Sequence, residues 1–161
     1  LNNIDSLTFS IQIDNLEIIK NLLKSIDNNL KIVQVYNLKN NHIWWNITEE
    51  YLIKSLEHFN VNNVIFLIFN TDVSDDINNM IYKHINYDKR IIIRNNVLVD
   101  FNILKSCDHF ILTNSSFAWW GAYLSNKNHN KKVIHPNSIF IHKEDPRNNI
   151  QNYIPNNWIV I

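Results

Sequence analysis

An α/β domain, a Rossmann-like parallel sheet with flanking helices, is the fold class this sequence predicts, and three observations predict it. Short β-rich runs alternate along the chain with segments of helical periodicity. The run Val64 to Phe69 (VIFLIF) is apolar on both faces, as a strand inside a parallel sheet must be. Phe110 to Thr113 passes through Asn114-Ser115-Ser116 into a helical stretch, the kind of strand-to-helix junction at which such sheets hold ligands.

Taken in order, Leu7 to Ile13 (LTFSIQI) alternates at period two and reads as a strand. Asp14 can cap the next segment, where Leu16, Ile19, Leu22, Leu23 and Ile26 recur at helical spacing. Leu30 to Tyr36 (LKIVQVY) is again strand-like. Thr48 reads as an N-cap, with Glu49 and Glu50 in a first turn where carboxylates favour the helix dipole. Leu52, Leu56 and Phe59 then mark one buried face. Shorter strands are expected at Ile91 to Ile93, Phe110 to Thr113 and Lys132 to Ile134. Helices are expected near Asp75 to Ile85, Asp100 to Cys107 and Ser115 to Leu124. No internal repeat and no Pro/Gly-rich linker interrupts the series, and Lys127 to Lys132 is a polar loop.

Composition narrows the function classes. The 161 residues are 45% apolar and carry five Trp, six Tyr and eight Phe, which is core-forming rather than disordered composition. Fifteen basic residues balance fifteen acidic ones and the pI is near 7.2, so the electrostatic case for nucleic-acid binding is absent. Cys107 stands alone and cannot form an internal disulfide. No apolar run is long enough to span a bilayer and no signal peptide opens the chain, so a cytoplasmic location is the expectation.

The junction itself carries chemistry. Free N–H groups and two hydroxyls at the start of the helix after Asn114 would make an anion site suited to phosphate. The same residues also read as a plain Ser cap on a core helix. Beyond the turn, Ala118, Gly121 and Ala122 are small enough to let the helix approach the sheet closely, and Gly121 is the chain's one glycine. Cys107 reads as a small buried hydrophobe and His109 as a packed histidine. Asp75 and Asp76 read as a solvated helix start, and Asp72-Val73-Ser74-Asp75-Asp76 lacks the Asp-x-Asp spacing that holds a nucleotide's metal.

Asp100 through Leu124 (DFNILKSCDHFILTNSSFAWWGAYL) closely resembles a motif of the α-1,2-fucosyltransferase family. That motif runs from an Asp through Leu-x-x-Cys-x-His and a short strand to Asn-Ser-Ser/Thr-Phe/Tyr-Ser-Trp-Trp-x-Ala. The tail is similar as well: Val133 to Pro136 (VIHP) matches the next strand, and Ile154-Pro155-x-x-Trp158 matches the closing Ile-Pro-x-x-Trp. Upstream, Tyr51 to Phe59 and the strand ending Phe69-Asn70-Thr71-Asp72 fit more loosely. The resemblance implies an inverting glycosyltransferase with two facing lobes, the GT-B arrangement. Such enzymes move fucose from GDP-fucose to a glycan hydroxyl with no metal and no cofactor beyond the donor itself. It implies further that residues 46–161 form the GDP-sugar-binding lobe, with residues 1–45 a separate N-terminal segment. Asp100 would meet the guanine end of the donor, and Asn114, Ser115 and Ser116 its phosphates.

One motif departs from the pattern. The family's His-x-Arg-Arg-Gly-Asp is best placed on Val33 to Lys39, where Gln34, Tyr36 and Lys39 replace its histidine, first arginine and acid. That arginine clamps the leaving diphosphate, a role worth about 3 kcal/mol of barrier or more. The chain's three arginines, Arg90, Arg94 and Arg147, all lie elsewhere. Lys39 can supply a point charge there, without the two-pronged fit of guanidinium. Two readings therefore stand: an active glycosyltransferase with altered donor chemistry, or an inactive relative that binds nucleotide sugar or glycan. His135, His142 and Asp145 follow the Val133 strand where they could border the donor, and no residue is singled out as the catalytic base. No full acceptor lobe fits before residue 30, so one lobe of a larger enzyme, or a reduced relative, is expected.

Overall fold

A computed structural model describes residues 31–37, 48–60, 63–70, 75–86, 90–93, 96–125, 130–138, 146 and 149–161. The strand expected at Leu7 to Ile13, the helix expected after Asp14, and Lys39, Arg94, Arg147, His142 and Asp145 lie outside these residues. Six parallel strands form one sheet: β1 (Lys31–Asn37), β2 (Val64–Asn70), β3 (Arg90–Ile93), β4 (His109–Ile111), β5 (Val133–His135) and β6 (Ile159–Val160). Between them run α1 (Glu49–Leu56), α2 (Asp75–His84), α3 (Val97–Lys105) and α4 (Ser116–Leu124).

The strand order is β3-β2-β1-β4-β5-β6, that of doubly wound α/β sheets. The chain builds outward from β1 to β3, then returns to the other side of β1 and builds outward again. Direction reverses between β1 and β4, where Val33 pairs with His109 and Val35 with Ile111. A crevice at the carboxyl ends of two such strands is where open α/β sheets take ligands. β1 precedes the expected boundary near residue 45 and stands between β2 and β4.

Period-two alternation in β2 supplies both faces of the core. Phe66 and Ile68 pack with Val33, Ile111, Ile134 and the α1 and α2 residues Tyr51, Leu52 and Ile81. Ile65, Leu67 and Phe69 point the other way, onto Ile103 and Leu104 of α3 and Ala118 and Ala122 of α4. All six residues from Val64 to Phe69 are buried, as the unbroken apolar run requires. Thr48 is the α1 N-cap, its Oγ1 accepting the Tyr51 N–H at 3.2 Å. Cys107 is buried with its Sγ 3.5 Å from the Ile103 carbonyl, and His109 Nδ1 accepts the Lys132 N–H at 3.1 Å, so both serve packing.

Two boundaries and one packing contact differ from the sequence reading in ways that bear on the site. α3 starts at Val97 rather than Asp100, because Asn96 caps it through Oδ1 bonds from the Leu98 and Val99 N–H groups at 3.1 and 3.0 Å. β4 ends at Ile111 rather than Thr113. There the Tyr51 hydroxyl, fully buried, sits 2.6 Å from the Leu112 carbonyl and 3.2 Å from that of Ile134, and caps the ends of β4 and β5. Gly121, expected to ease α4 onto the sheet, makes its tight contact with Leu104 of α3 instead.

Candidate donor site

The candidate site is built on the turn that follows β4. After Leu112, whose N–H still bonds the Ile134 carbonyl at 2.9 Å, the chain reverses sharply: the Ser115 N–H reaches the Thr113 carbonyl at 2.8 Å. Ser115 then takes the N-cap position in extended backbone, φ −129° and ψ 117°, and its Oγ accepts the Ala118 N–H at 3.3 Å. Its side chain is buried, whereas Ser116, the first residue of α4, is exposed. The two serines thus divide the work: Ser115 closes the helix, and Ser116 offers its hydroxyl outward beside first-turn N–H groups and the positive end of the helix dipole. Thr113, just upstream, keeps a buried Oγ1 with no hydrogen-bond partner among the described residues.

Asp100 lies one residue past the first three positions of α3, half-exposed, its N–H bonded to the Asn96 carbonyl at 3.0 Å. The starts of α3 and α4 are neighbours: the Phe101 and Phe117 rings stand 5.2 Å apart, each one residue beyond Asp100 and Ser116. Asp100, Asn114, Ser115 and Ser116 are therefore brought to one end of the α3–α4 layer, at the carboxyl edge of the sheet. Lys39 is not among the described residues. The strand that leads to it, β1, runs beside β4, and by the pairing of Val35 with Ile111, Asn37 comes level with Thr113. The described part of the replaced motif, Val33 to Asn37, thus lies across the reversal point from the serine turn.

Arg90 is not available to that position. Its guanidinium bonds the Ile85 carbonyl at 2.6 Å and the Tyr82 carbonyl at 3.2 Å and lies 4.0 Å over the Tyr82 ring, at the start of β3. It closes the end of α2 at the opposite edge of the sheet.

A row of rings extends the site towards β5. Trp119, one turn into α4, lies 5.4 Å from Trp158; Trp158 lies 6.3 Å from His135, and His135 lies 6.0 Å from Tyr153. His135 is the last residue of β5 rather than part of the following loop, and it is 4% exposed. Burial drives its pKa down to about 4 despite a 2.6 Å bond to the Pro136 carbonyl. Burial likewise pushes the Tyr153 phenol up to about 12. Sequence reasoning named His135 but missed Tyr153 and Tyr51, whose contacts span distances along the chain that no local pattern reports.

Comparison with known proteins bears on the same stretch. The model of glycosyl transferase family 11 matches residues 33–161, from β1 through the serine turn to the closing strand. An alpha-1,2-colitosyltransferase of Escherichia coli is 34% identical over 83 residues, which is 49% of this chain and 28% of that protein. The chain therefore spans well under two thirds of that relative's length. No solved structure matches the chain. With a match running over both halves of the sheet and the turn between them, the chain belongs to glycosyl transferase family 11, the α-1,2-fucosyltransferase relationship that its Asn-Ser-Ser and Trp-Trp residues imply.

Proposed function

We propose that this chain is the donor-binding lobe of a GT-B glycosyltransferase that moves fucose or a related sugar from a GDP-sugar to a glycan hydroxyl. The observation that carries the reading is the pairing of two helix starts, Asp100 on α3 and Ser116 on α4, at the carboxyl edge of a doubly wound sheet. Two helix N-termini concentrate partial positive charge where a diphosphate carries its negative charge. A carboxylate one helix away suits the donor N–H groups of a guanine edge. In this reading Asp100 meets the base, Asn114 and Ser116 the phosphates, and Ser115 holds the turn that presents them. Lys39 supplies a point charge from the β1 side, and the donor is the one small molecule required.

The replaced first motif supports a second reading, an inactive relative that retains the nucleotide-sugar site. Arg90, the described arginine, is engaged at the far edge of the sheet. Titration calorimetry separates both readings from neither: heat of binding with GDP and with GDP-fucose is expected, and no binding of either by the full-length protein overturns them. Turnover of GDP-fucose with a panel of glycan acceptors then decides between enzyme and binder.

A further inference from the structure

The row of rings behind the serine turn contains polar atoms that the described residues leave unpaired. The Pro136 carbonyl can only accept, so His135 Nδ1 must carry the proton it donates across 2.6 Å. In the neutral ring Nε2 is then a lone-pair acceptor, and it bonds no described residue. The Tyr153 hydroxyl, whose ring stands edge-on to His135, is buried without a hydrogen-bond partner among the described residues. Trp119 Nε1, at the α4 end of the row, is also buried with no partner among the described residues. Native interiors rarely leave buried donors such as the Tyr153 hydroxyl and Trp119 Nε1 unsatisfied, and these donors together with the His135 acceptor along one row of rings fit an uncharged ring with hydroxyls at its rim.

Position then selects the ligand. Asp100 lies on the α3 side of the α4 start and His135 on the β5 side, joined to α4 through Trp158 and Trp119. With a base on the first side and phosphates at the centre, the remaining part of the donor falls on the second. We propose that His135 and Tyr153 form the subsite for the transferred sugar, His135 Nε2 accepting from one sugar hydroxyl and the Tyr153 hydroxyl bonding another, with Trp158 as its apolar wall. This rests on the donor-lobe reading above.

The test compares two ligands that differ only by the sugar. Calorimetry on the full-length protein with GDP and with GDP-fucose is run for wild type and for Tyr153→Phe. The expected result is about a tenfold weaker GDP-fucose affinity in the variant, the scale of one lost hydrogen bond to a buried partner, with GDP affinity unchanged. Equal weakening of both ligands, or no change in either, overturns the sugar subsite while leaving the donor reading intact. Wild type that binds neither ligand overturns both. Should Tyr153→Phe fail to fold, histidine side-chain 15N spectra of the wild type decide. A His135 Nε2 signal that shifts with GDP-fucose and not with GDP supports the subsite, and an unmoved signal overturns it.

Discussion

Gly121 of α4 and Leu104 of α3 are in such close contact that a Cβ at position 121 would overlap Leu104 Cδ2. The chain's one glycine is therefore where two helices meet, both of which carry site residues at their starts. Leu104 is 0% exposed, so it has no solvent to move into. Alanine is the better helix former by about 1 kcal/mol, yet overpacking a closed contact costs about 1–3 kcal/mol, and the second effect wins here. Gly121→Ala is expected to lower stability in urea unfolding, and Gly121→Ala with Leu104→Ala to destabilise by less than the sum of the single changes. A Gly121→Ala protein as stable as wild type would show that the helices can part freely.

Tyr51 ties α1 to the strand ends beneath the serine turn. Removing its hydroxyl as Tyr51→Phe takes a hydrogen-bond donor from the buried Leu112 carbonyl, while the Ile134 carbonyl keeps the Leu112 N–H. The expected loss is about 1–3 kcal/mol in chemical denaturation. Faster amide exchange at Thr113 to Ser116 should accompany it, because the bond anchors the residue before that turn.

The two serines should separate in a stability experiment. Ser115→Ala removes the Oγ that accepts the Ala118 N–H and is expected to cost about 1 kcal/mol, as other lost N-caps do. Ser116→Ala touches an exposed hydroxyl and should leave the unfolding midpoint where it was. Matching losses at both positions would contradict the division of roles between cap and ligand contact.

His135 makes stability depend on pH with a defined sign. Its folded pKa is pushed from 6.5 down to about 4 by burial, so above pH 6.5 the ring is neutral in both folded and unfolded chains. Between pH 6.5 and 4 the unfolded chain takes up a proton that the folded one refuses, and stability falls by about 3 kcal/mol across that window. His135→Asn, which cannot titrate there, should show a shallower slope of unfolding free energy against pH over the same range.

Much of the frame was legible in the residues because each feature has a local cause. β2 announces itself through six consecutive apolar residues, and Thr48 and Ser115 through cap chemistry that acts within three positions. What was not legible depends on distant parts of the chain. β6 is two residues long and is held by backbone bonds to the β5 end, Ile161 N–H to the His135 carbonyl and Asn137 N–H to that of Ile161. The early start of α3 is hidden by Val97 and Leu98, apolar residues that are 68% and 74% exposed and so break the amphipathic pattern. The Tyr51 bond that ends β4 joins residues sixty-one positions apart. At the candidate site, the motif located Asp100 and the serine turn, while the burial of His135 and of the Tyr153 hydroxyl followed only from the packing of the C-terminal segment against β5.

The most direct measurement concerns Ser116, because one substitution there pulls stability and ligand binding in opposite directions. A carboxylate at the first position of α4 favours the helix dipole by about 0.3–1 kcal/mol, yet repels a diphosphate held at the same place. Ser116→Asp is therefore expected to melt at or slightly above the wild-type temperature and to lose GDP binding in calorimetry. Undiminished GDP affinity in a stably folded Ser116→Asp protein would contradict a phosphate site at the start of α4.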